Sequence, residues 1–168
     1  MQTITLSNTA HTISIAKLAV GHGKMDDFAK WYLDAYLDAG GNCIDTARSY
    51  DGGHAEKAVG NYIKGKQRDR IILVTKCARQ DLTVKNSPGR LAPEEIRSDV
   101  NTSLSELGVD YIDILFLHRD DVFRPVEEIM PTLHEFIKAG KIRMIGASNW
   151  TAGRIQGNLA ARWRGMSC

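Results

Sequence analysis

The strongest constraint on this chain is a pattern that recurs along it: an apolar run, a loop, an amphipathic helix and a glycine. The apolar runs are Ile13 to Val20, Asn42-Cys43-Ile44, Ile71-Ile72-Leu73-Val74, Ile112 to Leu117 and Ile142 to Ala147. Between them, apolar residues recur at the three- and four-residue intervals of a helix. The first helical face is Met25, Phe28, Tyr32, Ala35, Tyr36 and Ala39, and the second is Ala55, Ala58, Val59, Tyr62 and Ile63. The third is Ile96, Val100, Leu104 and Leu107, and the fourth is Val126, Ile129, Met130, Leu133, Phe136 and Ile137. Gly40-Gly41, Gly108 and Gly140 supply the left-handed stop that a helix end requires. Pro93 and Pro125 open helices, where a missing N–H costs nothing, and Glu94 and Glu95 suit the positive end of a helix dipole. Five strands separated by four helices, always in β-α order, predict a parallel sheet with right-handed crossovers.

Two architectures fit that order. A doubly wound flavodoxin-like sheet uses five strands in a chain of about this length. The alternative is the first five β/α units of a (β/α)8 TIM barrel, incomplete, because a whole barrel takes about 250 residues. Composition does not choose: 43% hydrophobic and 25% charged residues in 168 describe any core-forming domain. It does remove other classes. No apolar run approaches the ~20 residues of a membrane span. The N-terminus lacks the basic and apolar regions of a signal peptide. A net charge of +2 gives no case for nucleic acid or a membrane surface. Cys43, Cys77 and Cys168 show no metal or disulfide spacing, which fits a reducing, cytoplasmic setting.

The polar residues favour the barrel. Unusual polar groups just past the C-terminal ends of barrel strands gather on one rim and read as catalytic. Asp45 follows the second run, Lys76 the third, His118 the fourth, and Ser148-Asn149 the fifth, with Tyr50 in the loop after Asp45. Each also has a structural use: Asp45 as a cap, Tyr50 as a half-buried loop ring, Lys76 snorkelling to water, His118 as a satisfied core histidine. Together they form a set. A tyrosine, with an ordinary pKa of about 10, donates a proton poorly at neutral pH unless a nearby ammonium stabilises the phenolate. A carboxylate keeps such an ammonium charged and in place, and a neutral imidazole orients a carbonyl. The set suits protonation of an alkoxide formed as hydride reaches a carbonyl carbon.

At these residues a resemblance appears. Gly41-Asn-Cys-Ile-Asp-Thr-Ala-Arg-Ser-Tyr50, Leu73-Val-Thr-Lys76, Leu115-Phe-Leu-His118 and Gly140-Lys-Ile-Arg-Met-Ile-Gly-Ala-Ser-Asn149 resemble the aldo-keto reductases in order and spacing. The likeness runs from about Ile13 to Gln156. It implies a barrel that reduces aldehydes or ketones with NADPH, with a catalytic tetrad matching Asp45, Tyr50, Lys76 and His118. It further implies that Asp45, Ser148 and Asn149 approach the nicotinamide end of the cofactor. The partners it implies are small carbonyl compounds.

Three other motifs are decoys. His118-Arg119-Asp120 imitates a kinase catalytic loop, but no Asp-Phe-Gly and no G-x-G-x-x-G accompany it. Gly21-His22-Gly23-Lys24 lacks phosphate-loop spacing and reads as a βα turn. Cys77 reads as a small residue at a strand end.

The expected organisation is a polar lead-in over residues 1–12, a partial barrel over 13–150 and a divergent basic tail over 151–168. The tail carries Arg154, Arg162 and Arg164 and no acid. Gly153 and Gly157 interrupt its helical start, each costing about 1 kcal/mol relative to alanine, and no sixth apolar run follows. The expectation is therefore a shortened or altered product, with both sheet edges open to a second copy or to aggregation. Barrel phosphate sites commonly follow strands seven and eight, so the main cofactor anchor would lie outside these residues. The competing functional reading is a non-catalytic remnant or association module.

Overall fold

The computed structural model describes residues 1–5, 12–14, 16–80 and 89–156. Seven strands are seen: β1 (Thr3–Thr5), β2 (Thr12–Ser14), β3 (Leu18–Ala19), β4 (Cys43–Asp45), β5 (Ile72–Cys77), β6 (Ile112–Leu117) and β7 (Ile142–Ala147). Four helices alternate with the last five: α1 (Asp27–Asp38), α2 (His54–Ile63), α3 (Pro93–Leu107) and α4 (Val126–Lys138). No helix among the described residues is long and apolar enough to cross a membrane.

Strand order decides between the two architectures. The five-stranded sheet runs β3-β4-β5-β6-β7, parallel throughout, so every crossover steps one strand in the same direction. A doubly wound sheet must reverse direction at a switch point. With no reversal and a constant right-handed crossover, all four helices cover one face, as in an arc of a (β/α)8 barrel.

The alternation of side chains then defines two layers. Ile44, Leu73, Leu115 and Leu117 face the helices and pack with Val59, Ile96, Val100, Leu104, Ile129 and Leu133. Cys43, Ile72 and Val74 face the other way, against Ile114, Phe116 and Ile13. Asp45, Lys76 and His118 continue this inner face by the period of two. Gly60 marks the closest approach of two helices: a Cβ there would lie 2.5 Å from the Leu107 carbonyl oxygen.

Two expectations are corrected. Ile13 to Val20 is not one strand. Thr3–Thr5 and Thr12–Ser14 form an antiparallel hairpin, so the polar lead-in contributes to both of its strands, and only Leu18–Ala19 joins the parallel sheet. Ser14 makes the break: its N–H donates to Asn42 Oδ1 at 2.8 Å and its hydroxyl to the Ala16 carbonyl at 2.8 Å. With those groups engaged by Asn42 and Ala16, β2 ends at Ser14. The hairpin side chain Ile13 reaches the inner layer at the N-terminal ends of β4 and β5, opposite the polar rim.

The second correction concerns α1. Its buried residue is Leu33, whereas Phe28 and Tyr32, expected to face inward, are 70% and 52% exposed. They cluster with Trp31, ring centroids 5.9 to 6.5 Å apart. Tyr36 ties the helix to the hairpin and the sheet: its hydroxyl meets the Ser14 hydroxyl at 2.8 Å and donates to the Ala16 and Cys43 carbonyls at 2.8 and 3.0 Å.

A buried charged cluster ties the sheet to the loops at its N-terminal edge. Asp113, 1% exposed, accepts from Arg68 at 2.7 Å, Arg143 at 2.9 Å and the Leu73 N–H at 2.9 Å. Both guanidinium groups lie against the Tyr111 ring, about 4 Å from its centre. This end therefore serves stability, as the N-terminal face of a barrel does. The tail begins as a helical turn over residues 152–156, held by Arg154 on Asp120 at 3.0 Å and on the carbonyls of Asp121 and Arg124. Residues 157–168, and with them most of the expected basic tail, lie outside the described residues.

Candidate active site

Each candidate side chain sits where its strand ends. Asp45 closes β4 and Lys76 is the penultimate residue of β5; because β4 and β5 pair Asp45 with Val74, Lys76 stands one inward step above. Its ammonium bridges three groups: Asp45 Oδ1 in a tight ion pair, the Thr46 carbonyl at 2.9 Å and the Tyr50 hydroxyl at 3.3 Å. It also lies 4.8 Å from the centre of the Tyr50 ring. Asp45 and Lys76 are 2% and 8% exposed, so their pairing is poorly screened by water.

Tyr50 comes from a short 3₁₀ turn, Tyr50–Gly53, and its placement depends on the loop before it. The Arg48 N–H donates to the Lys76 carbonyl at 2.9 Å, and the Tyr50 N–H to the Ala47 carbonyl at 3.0 Å. The Arg48 guanidinium is anchored in turn by Glu56 of α2 at 3.2 Å. Glu56 is fully buried and also accepts from the Thr75 hydroxyl at 2.6 Å. Burial pushes its carboxyl up from the ordinary value, opposed by the bonds from Thr75 and Arg48. Asp51 is at φ 49 and Gly53 at φ 98, where glycine is unstrained and the guanidinium of Arg48 lies against the backbone.

His118 follows β6, its N–H donating to the Cys77 carbonyl at 2.8 Å. The imidazole meets Tyr50 edge-on, with ring centres 5.7 Å apart, and Nδ1 lies 3.4 Å from the Ser49 hydroxyl. Burial, and then the charges of Lys76, Arg79 and Arg119, push it down to about 4. It is therefore neutral at neutral pH, able to donate from one nitrogen and accept at the other.

The structure thus brings Asp45, Tyr50, Lys76 and His118 into one contact network. Ser148 and Asn149 stand at the end of β7, joined to it through backbone: the Ser148 N–H donates to the Leu117 carbonyl at 2.9 Å. Asn149 adopts φ 61, and its amide donates to the His118 carbonyl at 2.9 Å and to Ser148 Oγ at 3.0 Å. No described hydrogen bond links Ser148 or Asn149 to Asp45. The decoys fall away. The Gly23 N–H donates to the Asp51 carboxylate at 2.8 Å, so that turn is committed to a protein anion. Cys77 is buried, and burial pushes its thiol up.

Two participants were not anticipated, Glu56 and Lys17. Lys17 places its ammonium on Asp45 Oδ2, the oxygen Lys76 leaves open. The sequence signal was the same period of two: Lys17 precedes Ala19, which pairs with Asp45, so residues 17 and 19 share the inner face. Reading Ile13 to Val20 as one apolar run concealed it.

Comparison with known proteins agrees with this fold. The Aldo/keto reductase family profile matches residues 16–164. A protein of Escherichia coli named NADH-specific methylglyoxal reductase is 36% identical, over 93% of this chain and 54% of its own length. Norsolorinic acid reductase of Emericella nidulans is also 36% identical, over 80% of this chain and 37% of its own. Among solved structures, a thermostable aldo-keto reductase in complex with the inhibitor epalrestat superposes with a TM-score of 0.82 at 26% identity. That match covers 96% of this chain and 58% of the other. The chain therefore spans about half the length of the relatives it matches, with family sequence along nearly all of its own: it belongs to the aldo/keto reductase family.

Proposed function

We propose that this chain carries the catalytic side of an NADPH-dependent carbonyl reductase that converts aldehydes or ketones to alcohols. The observation that carries this reading is the Tyr50 hydroxyl 3.3 Å from an ammonium that is itself ion-paired to buried Asp45, beside a neutral imidazole. When bound, reduced nicotinamide supplies the hydride for the carbonyl carbon. Tyr50 gives its proton to the carbonyl oxygen as negative charge grows there. Lys76 stabilises the phenolate left behind, and Asp45 holds Lys76 in place. His118 directs a neutral hydrogen bond at the same oxygen, which fixes the carbonyl for attack.

Ser148 and Asn149 fit the carboxamide of such a cofactor. An amide ligand both donates and accepts, and among the described residues no donor reaches the Asn149 side-chain oxygen, while Ser148 Oγ already accepts from Asn149. Oxygen and hydroxyl hydrogen therefore remain for a ligand. With Asp45 at the rim, they are the residues proposed to hold the nicotinamide end.

A second reading, an association module, draws on the sheet edges. Neither β3 nor β7 has a second strand partner among the described residues, and Phe28, Trp31 and Tyr32 stand exposed on the helix after β3. Fluorescence titration with NADPH and NADH in parallel, followed by an assay for carbonyl-dependent oxidation, separates the two. Micromolar binding with turnover supports the reductase, and tighter NADH would reassign the cofactor. Binding weaker than millimolar with no turnover, together with a self-associating species in sedimentation, supports the module.

A further inference from the structure

We infer that Lys17 is a positioning residue of the tetrad: by occupying the second oxygen of Asp45, it offsets the carboxylate's negative charge, so that the Lys76 ammonium acts on Tyr50 as a cation whose field is not cancelled. This rests on the proposed reductase reading for its catalytic meaning, but its physical content can be measured without turnover.

Asp45 is 2% exposed and carries one negative charge on two oxygens, Oδ1 facing Lys76 and Oδ2 facing Lys17. With Lys76 alone, the buried pair would be close to neutral as seen from Tyr50, and its stabilisation of a phenolate correspondingly small. With a second ammonium on the far oxygen, the triad Lys17–Asp45–Lys76 carries a net positive charge. Lys76, 3.3 Å from the phenol, presents it to Tyr50. Lys17 itself is held protonated above its ordinary value, chiefly by the hydrogen bond to Asp45, and Tyr50 also lies within its field.

The other charges facing this spot do not supply the same effect. From the loop after β4, Arg48 is committed to Glu56, and Asp51 to the Gly23 N–H. Past β5, Arg79 reaches Ser49 at 3.5 Å, on the side of His118. His118 is neutral, and Arg119 acts on it from the next position in the chain. Among the described residues, Lys17 is the charged side chain that reaches Asp45 from the β3 edge. An exposed ion pair would be worth little, and the Lys17 side chain is 53% exposed, but its partner is 3% exposed, so the field it exerts runs through protein to Tyr50.

The test is 19F NMR of the chain carrying fluorotyrosine at its five tyrosines, with the Tyr50 signal assigned by Tyr50→Phe. In Lys17→Met the Tyr50 signal should need a higher pH to reach half-ionisation, equivalent to a loss of phenolate of about threefold or more at fixed pH. Lys17→Arg should restore it, and the signals of Tyr62 and Tyr111 should not move. An unchanged Tyr50 signal in a Lys17→Met protein with native circular dichroism would overturn the inference. So would an equal shift of all tyrosines, which would report a general change of fold. In an active preparation, Lys17→Met should lower kcat with little change in KM. Absence of turnover in the wild type counts against the reductase reading while leaving the NMR result decisive for Lys17.

Discussion

Acidification should weaken this fold through His118. The unfolded imidazole takes a proton near 6.5, whereas the folded one, buried beside Lys76, Arg79 and Arg119, does so only at about 4. Between those values the unfolded chain binds the extra proton, so stability falls as pH falls. At about pH 4.5 this one group should cost about 2.5 kcal/mol relative to about pH 7, reduced to about 2 by solvent at the open rim. Glu56 has the opposite sign: its folded carboxyl is raised above 4.5, so acid favours its folded form. Urea unfolding at the two pH values, in wild type and in His118→Gln, isolates the term. The variant should lose about 2 kcal/mol of the acid sensitivity. An unchanged acid slope in His118→Gln, or a His118 NMR titration near 6.5, would refute the neutral-imidazole argument and with it the role proposed for His118.

Other substitutions read other parts of the structure. Asp113→Ala leaves the buried Leu73 N–H without its acceptor and removes the carboxylate shared by two partly exposed guanidinium groups, and should cost about 2 to 3 kcal/mol in chemical denaturation. Gly60→Ala drives a Cβ into the Leu107 carbonyl and should cost about 1 to 3 kcal/mol, measured the same way. Glu56→Gln should leave the fold largely intact but lower kcat several-fold, because Arg48 loses the anchor that steadies the Tyr50 turn; unchanged kinetics would separate that anchor from catalysis.

How much of this was legible in the sequence depended on periodicity. The helix-facing residues of α2 and α3 and the strands β4 to β7 followed from it because the helical spacing runs through several turns, Pro93 and Gly108 bound α3, and the buried strands read as apolar runs between helices. Asp45, Tyr50, Lys76 and His118 were found because each stands at a strand end or in the loop just beyond. Three things were hidden. The β1–β2 hairpin depends on side-chain bonds from Ser14, Tyr36 and Asn42 that no local pattern encodes. The orientation of α1 depends on that hairpin, so Phe28 and Tyr32 were placed on the wrong face. The roles of Lys17 and Glu56 arise from contacts between residues 28 and 19 positions apart, visible only once the strands are in register.

The central claim is that Tyr50 delivers a proton to a carbonyl oxygen. It is tested most directly by carbonyl-dependent oxidation of NADPH in wild type and in Tyr50→Phe, with cofactor affinity measured on both. The account predicts oxidation by the wild type and its loss in the variant, with nearly unchanged cofactor binding, since Lys76, Asp45, Ser148 and Asn149 are untouched. A Tyr50→Phe protein that still turns over would contradict it.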